Sequence, residues 1–379
     1  NKKIILSFKE REDMKTIVKA IDLSNAVLKV VKAVSTKGQN QALECIKLSC
    51  RGDNLTLTAT DTEIAIEKTI RAETFVEGST LVPGRLFADF IKKLEDEDDI
   101  ELFLENNMLK ITYSSSEGYI QAFDPEDFPV INKDIKEKSF TMQQKEFKNM
   151  VAKTAFCCLQ DDSRPVLKGC LFEEENGVVT CVALDGFRLA MCKKPVKEVY
   201  GKIKVIIPSR ALGEIVRLCE RDEDYVTVVL QDKNLLVDVD NTTLVARLLE
   251  GDYIDYKQII PTDFVTVFKA NKVILENAIE RASVVARVMK NLVKLDVKEN
   301  SVNITANSEK GNVNENVLIS LEGKDITIAF NSKYILDALH AIDDDFVKVS
   351  LNTPISPCII KPNGSDDSLY LVLPIRINS

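Results

Sequence analysis

Three pairs of basic residues recur at one spacing in this chain, and contact with phosphates is the chemistry they suit. Arg85 and Lys92, Arg210 and Arg217, and Lys333 and His340 each stand seven residues apart, which on a helix turns both members to the same side. A carboxylate lies between the members of every pair: Asp89, Glu214 and Asp337. One reading is a solvated helix face laced by ion pairs. The other is a basic stripe for phosphates, each contact tempered by its acid. Surface pairs add little to stability, so recurrence at equivalent places favours the stripe.

Catalytic constellations are missing from the sequence. His340 is the only histidine, and no phosphate-cradling glycine loop, zinc-protease helix or Cys/His dyad accompanies it. The acidic runs Glu95 to Asp99 and Glu220 to Asp224 read as turns after helices. The nine cysteines include no C-x-x-C pair, and most sit in apolar patterns, the usage of buried thiols in a reducing compartment. The expectation is a non-enzyme with no cofactor and no metal, in the cytoplasm. No basic, apolar leader opens the chain, so nothing argues for secretion.

With 379 residues, 45% hydrophobic and 29% charged, the chain can hold several cores. Its apolar runs are strand-length, too short to span a bilayer. A net charge of −9 opposes nucleic-acid binding in bulk, but distribution decides, and a basic stripe on an acidic body remains open.

The elements that must carry the stripes repeat. LVPGRLFADFIKKLEDEDDIELFL from Leu81, IIPSRALGEIVRLCERDEDYVTVV from Ile206 and AFNSKYILDALHAIDDDFVKVSLN from Ala329 align without gaps. Each reads as strand, cap, helix, acidic turn and strand, with Pro83, Pro208 and Asn331 roughly 125 residues apart. The core face is expected from Leu86, Phe87, Phe90, Ile91 and Leu94, and from their counterparts in the other two copies. A second helix should open each unit, over Lys9 to Val34, Gln144 to Leu159 and Asn271 to Met289, with Lys15, Lys148 and Arg281 along them. Strands such as VTCVALDGFRLAMC from Val179 fill the rest, with Asp185-Gly186 as a hairpin signal. The fold class is α+β, in three tandem units at 1–132, 133–262 and 263–379.

These residues match a family in order and spacing. TDTEIAIE from Thr60, LVPGRLF, FPVI from Phe128, SRPVLKGCLFE from Ser163, LDGFRLA from Leu184, VIIPSRAL from Val205, LLEGDYIDYKQIIP from Leu248, FNSKYILDAL from Phe330 and LYLVLPIRI from Leu369 make the chain resemble the beta subunit of bacterial DNA polymerase III, the sliding clamp. The resemblance implies a head-to-tail homodimer: two chains of three units, six in all, close into a ring. Two helices from each unit line its hole, and strands form its outer wall. It implies duplex DNA held without sequence readout, and no catalysis. It also implies partners such as the polymerase III alpha subunit and the clamp loader, which bring a short clamp-binding motif. The expected location is the cytoplasm, with the nucleoid.

Carried over residue by residue, the DNA-facing set is Lys15, Arg85, Lys92, Lys148, Arg164, Arg210, Arg217, Arg281 and Lys333. The motif groove would comprise Leu167, Leu184, Gly186, Phe187, Arg188, Leu189, Ile254, Gln258, Ile259, Asn331, Tyr334, Ile355, Pro357, Leu371, Leu373, Pro374, Ile375 and Arg376. In it Leu371, Leu373 and Ile375 form an apolar floor, with Arg188 and Arg376 at the rim. The dimer contact would use Val284 and Val285 against Tyr119 and Ile120. Leu184 and Phe187 stand where the family commonly has Thr and His, and Ile254 and Gln258 replace a frequent proline and a frequent basic residue. The pure residue reading sets two rivals beside this, an enzyme, against which the missing constellations count, and a repeat scaffold that binds proteins and never touches DNA. The apolar C-terminal run also reads as a strand that only closes the third core.

Overall fold

The computed structural model describes residues 14–36, 38, 40–94, 96–133, 138–231 and 233–376. Its helices are α1 Ala20–Val30, α2 Gly84–Ile91, α3 Gln144–Thr154, α4 Ser209–Leu218, the short α5 Tyr256–Ile259, α6 Lys272–Ala286 and α7 Ser332–His340. In each copy a strand runs straight into its helix: Gly78–Pro83 into α2, Lys204–Pro208 into α4 and Ile326–Asn331 into α7. Pro83 and Pro208 end their strands at the N-cap, where a missing N–H costs no ladder bond. Asn331 caps α7 instead, its side-chain oxygen accepting from the Lys333 N–H at 3.0 Å. The helices pack in pairs, α1 on α2, α3 on α4 and α6 on α7.

The chain divides into two compact units, the described part of 1–137 with Val226–Arg247, and Lys138–Tyr225 with Leu248–Ser379. In the first unit, Thr242–Arg247 pairs antiparallel with Ile64–Arg71, from Thr242↔Lys68 to Ala246↔Ile64. The same unit holds a five-stranded sheet whose edge strand is Ser116–Gln121. In the second unit a twelve-stranded sheet runs from Lys204–Pro208 at one edge to Ile326–Asn331 at the other. Phe140, Phe147 and Phe172 are fully buried there, with ring centres 6.0 and 6.4 Å apart. Each buried ring contributes about 2–3 kcal/mol by leaving water.

Several expectations need correction. The first opening helix starts at Ala20, and Lys15–Lys19 is a strand paired with Asp99–Glu105; residues 9–13 lie outside the described set. The run Thr16-Ile17-Val18 is β-branched throughout and alternates in burial, which favours a strand. Lys15 therefore stands on a strand, not a helix. Leu86 is not core: it is 56% exposed, because α2 turns Phe87, Ala88 and Ile91 inward. The hairpin tip falls one residue later than Asp185-Gly186. Leu184 pairs with Leu189 and the Asp185 N–H donates to the Arg188 carbonyl, so the central residues are Gly186 and Phe187. Gly186 has φ +93°, the positive value that a type II′ turn requires at its first central position. The last strand stops at Val372, so Leu373 and Ile375 lie beyond it.

All nine cysteines are free and buried. Burial holds the thiols of Cys45, Cys192 and Cys219 up at about 11, so few thiolates form at neutral pH. A maleimide dye should label almost none of the nine in the native protein within minutes and all nine in denaturant. Rapid labelling of several native thiols would contradict this packing.

Candidate functional site: an apolar groove and a basic helix face

The residues expected to line the groove lie where the second and third copies share a sheet. Strand Arg188–Pro195 pairs antiparallel with Ser368–Val372, from Arg188↔Val372 to Cys192↔Ser368. The II′ turn throws Phe187 outward, 60% exposed. The tail leaving the last strand is then fastened on both sides. The Leu373 N–H donates to the Phe187 carbonyl at 2.9 Å, and the Ile375 N–H to the Ala329 carbonyl at 2.8 Å.

Arg188 locks this corner. Its Nε donates to Asp185 Oδ2 at 2.9 Å, one terminal nitrogen to the Phe156 carbonyl at 3.0 Å and the other to the Asp337 carboxylate on α7. The guanidinium lies between two rings, 5.5 Å from the centre of Phe156 and 4.7 Å from that of Tyr334. Phe187 stacks in turn on Tyr334, centres 6.3 Å apart. Burial alone would lower the pKa of the guanidinium. Its contacts with Cys157, Asp337 and Asp185 outweigh burial and leave it above the ordinary value. Asp185 also accepts from the N–H groups of Phe187 and Arg188, at 2.9 and 3.1 Å. With a side chain only 10% exposed, Arg188 is no free rim donor, and Asp337 is bound to it instead of tempering the basic stripe. The sequence reading missed Phe156, Asp185 and Asp337 as partners of this arginine; only the i,i+3 spacing of Asp185 and Arg188 hinted at one.

The other groove residues separate by depth. Leu167, Leu184, Leu189 and Leu371 are buried in one apolar cluster, so they are foundation and not surface. Gly186, Phe187, Gln258, Ile259, Ile355, Leu373 and Arg376 are exposed, and Ile254, Asn331, Tyr334, Pro357, Pro374 and Ile375 are half-buried. Gln258 donates to Asp255 at 2.8 Å. The expected floor of Leu371, Leu373 and Ile375 thus splits, because Leu371 is core and only the last two reach the surface.

On the helices, Arg85, Lys92, Arg210, Arg217, Lys333 and His340 are all exposed. Glu214, on α4, is buried and accepts from Arg217, whereas Asp89 is exposed. Lys15 pairs with Glu101 at 3.3 Å, Lys148 with Asp222, and Arg281 makes a two-pronged pair with Glu315 at 2.8 and 2.7 Å. Arg164 stands exposed in the turn before Pro165–Lys168. At the expected dimer surfaces, Val284 is 64% exposed, Val285 half-buried and Tyr119 51% exposed. Ile120 is 5% exposed, so its side chain belongs to the core and not to a contact. Val288 and Met289, also exposed, extend the patch beyond the residues read from sequence.

Comparison with known proteins identifies the family that shares this fold. Family models for the N-terminal, central and C-terminal domains of the DNA polymerase III beta subunit match residues 14–132, 141–255 and 257–376. The beta sliding clamp of Staphylococcus aureus is 34% identical over 357 residues, covering 91% of this chain and 95% of that protein. The chain belongs to the beta sliding clamp family. The clamp of Halalkalibacterium halodurans is 32% identical over 364 residues, covering 92% of this chain and 95% of that one. Among solved structures, the DNA polymerase sliding clamp of Bacillus subtilis superposes with a TM-score of 0.92 at 28% identity, and the beta subunit of Thermotoga maritima with 0.90 at 27%. Both alignments cover 96% of this chain and all of the other. Sliding clamps are non-catalytic processivity factors of a DNA polymerase.

In this clamp the Arg188 corner should be a stability determinant. Arg188→Ala leaves Asp185 and Asp337 facing each other without their cation, and should cost about 3 kcal/mol in chemical denaturation. Arg188→Lys should recover little, since an ammonium cannot serve three directed acceptors and stack between rings. Arg376→Ala, at an exposed position, should stay within about 0.5 kcal/mol of the parent. Equal stability of Arg188→Ala and the parent would refute the lock.

Proposed function

We propose that two copies of this chain close head to tail into a ring around duplex DNA and tether a replicative polymerase to it, with the units 1–132, 133–262 and 263–379 as its segments. The observation that carries this reading is the basic pair on the outer side of α2, α4 and α7, exposed in every copy. Non-specific phosphate contact needs scattered cations and no base readout. Enclosure supplies persistence, so each contact can stay weak and the ring can move. The acids at Asp89 and Glu214 weaken the contacts in that sense. Arg164, Lys148, Lys15 and Arg281 would add further phosphate contacts, the last three after exchanging a carboxylate for a phosphate. A chain at work on replicating DNA belongs in the cytoplasm with the nucleoid, where nine free thiols stay reduced. Among the described residues no helix is long and apolar enough to cross a membrane.

Closure would set the α6 patch of one copy against the Tyr119 edge strand of the next, twice per ring. An edge strand with unpaired N–H and C=O groups is itself suited to such pairing. Val284→Glu with Val285→Glu should give folded monomers in sedimentation. On nicked circular DNA loaded with a clamp loader and ATP, the parent should persist until the circle is linearised. The double variant should not persist at all. A dimer of unchanged affinity, or parent rings that survive linearisation, would sink the ring reading.

The groove at Phe187, Tyr334, Ile355, Leu373 and Ile375 would take the short clamp-binding motif of the polymerase alpha subunit, the loader and similar partners. A few apolar anchors in a preformed cleft give an affinity of about −8 kcal/mol, a micromolar Kd. Leu373→Asp with Ile375→Asp should abolish binding of such a peptide in calorimetry while rings still form. Undiminished peptide binding would mean that this surface has another use.

A further inference from the structure

The single histidine has a second relationship that the basic-stripe reading does not use. His340 closes α7 and faces two carboxylates one turn apart on α6, Glu276 and Glu280. His340 Nε2 lies 3.3 Å from Glu276 Oε1 and 3.7 Å from Glu280 Oε1. Ligand atoms from all three residues fall within 4.8 Å of one another.

Those separations are long for charge-assisted hydrogen bonds, which settle at about 2.7–2.9 Å. The two from His340 Nε2 bracket the edge of a coordination tetrahedron instead. With metal–nitrogen and metal–oxygen bonds of about 2.1 Å, neighbouring ligand atoms stand about 3.4 Å apart. Glu276 supplies an independent sign: its Oε2 is buried without a hydrogen-bond partner. The nearest cation, Lys272 Nζ, is 3.7 Å from that oxygen and donates to the Ile342 carbonyl at 2.8 Å. Among the described residues that oxygen has no hydrogen bond, and its ion-pair partner Lys272 is turned to a carbonyl.

We propose that Glu276, Glu280 and His340 form a divalent transition-metal site of the zinc class, with water completing the coordination. One imidazole and two carboxylates suit zinc and its neighbours in the first transition row, whereas magnesium and calcium favour all-oxygen shells. Two facing helices fix the three ligands: the i,i+4 pair shares one side of α6, and α7 packs against it. In the alignment of the copies, His340 stands where Lys92 and Arg217 carry permanent charge. A bound dication would offset both carboxylates, leaving the cluster neutral instead of doubly negative at the one position of the stripe without a permanent charge. That consequence rests on the proposed DNA-facing role; the metal site itself does not.

The site is tested on the tag-free, chelator-treated full chain by calorimetric titration with zinc chloride, without DNA. One zinc per chain should bind, and the melting temperature should rise with zinc. His340→Gln and Glu280→Gln should each weaken binding at least about tenfold, the least that loss of a ligand should cost, and lose the zinc-dependent rise. All nine thiols are buried, so they should not obscure the titration. Magnesium or calcium in tenfold excess should not displace zinc. Absence of a one-to-one zinc event, binding that survives His340→Gln, or equal competition by calcium would each overturn the proposal, the last two meaning an acidic surface only. If zinc binds and DNA retention does not respond to it, the metal site stands and its link to the stripe fails.

Discussion

The backbone pairing of Arg188–Cys192 with Ser368–Val372 is the constraint on which the second compact unit depends. Through those five residue pairs two copies of the repeat share one sheet, and the ladder is backed by a single apolar cluster. Leu184, Leu189 and Leu371 lie in that cluster with Leu167 and Tyr256. A repeat that covers one face of its sheet with two short helices leaves the sheet edge open. Pairing edge to edge removes that liability and fixes how the helices of neighbouring copies are offset. The positions of Phe187, Tyr334 and Leu373 all follow from the register Arg188↔Val372, since a one-residue slip would turn every side chain to the opposite face.

Much of this was legible in the sequence. The threefold strand–helix–turn–strand pattern appears as α2, α4 and α7 with their flanking strands, because spacing on a helix and alternation in a strand are local rules. The basic members of each stripe came out exposed for the same reason. What failed depended on partners far away in the chain. Nothing near Arg188 in sequence reveals Phe156 or Asp337, 32 and 149 residues distant, so the arginine read as a free rim donor. Lys15 was misplaced because a basic residue before a helix looks like part of it, and only pairing with Asp99–Glu105 shows the strand. Leu371 and Leu373 share a strand parity, but the chain leaves the sheet between them.

The two carboxylates of the stripe whose surroundings differ most, Asp89 and Glu214, show why repetition of type is not repetition of role. Asp89 is exposed and can screen Arg85 and Lys92 in solution. Glu214 is 9% exposed and bound to Arg217, so it restrains that guanidinium more directly. An exposed ion pair is worth at most about 1 kcal/mol, small enough for a phosphate to displace it. A tether that must both hold and slide needs many contacts of that size and no strong one.

The apolar side chains left in water point the same way. Phe187 and Leu373, joined by a backbone hydrogen bond, are exposed at the sheet seam, while Val284, Val288 and Met289 are exposed at the end of α6. Grouped exposed apolar residues are what surfaces covered part of the time display, and the proposed function uses both groups in that way. The two groups differ in preparation. The α6 patch sits on a regular helix and needs only a matching edge. The groove is already set: Arg188 holds the turn to α7, Phe187 lies on Tyr334, and the tail is fastened by the N–H groups of Leu373 and Ile375. Little of the protein then remains to be ordered when a peptide arrives, and the entropy lost on binding falls on the peptide. On the proposed function, partners that differ everywhere else would then share one groove through a few residues each.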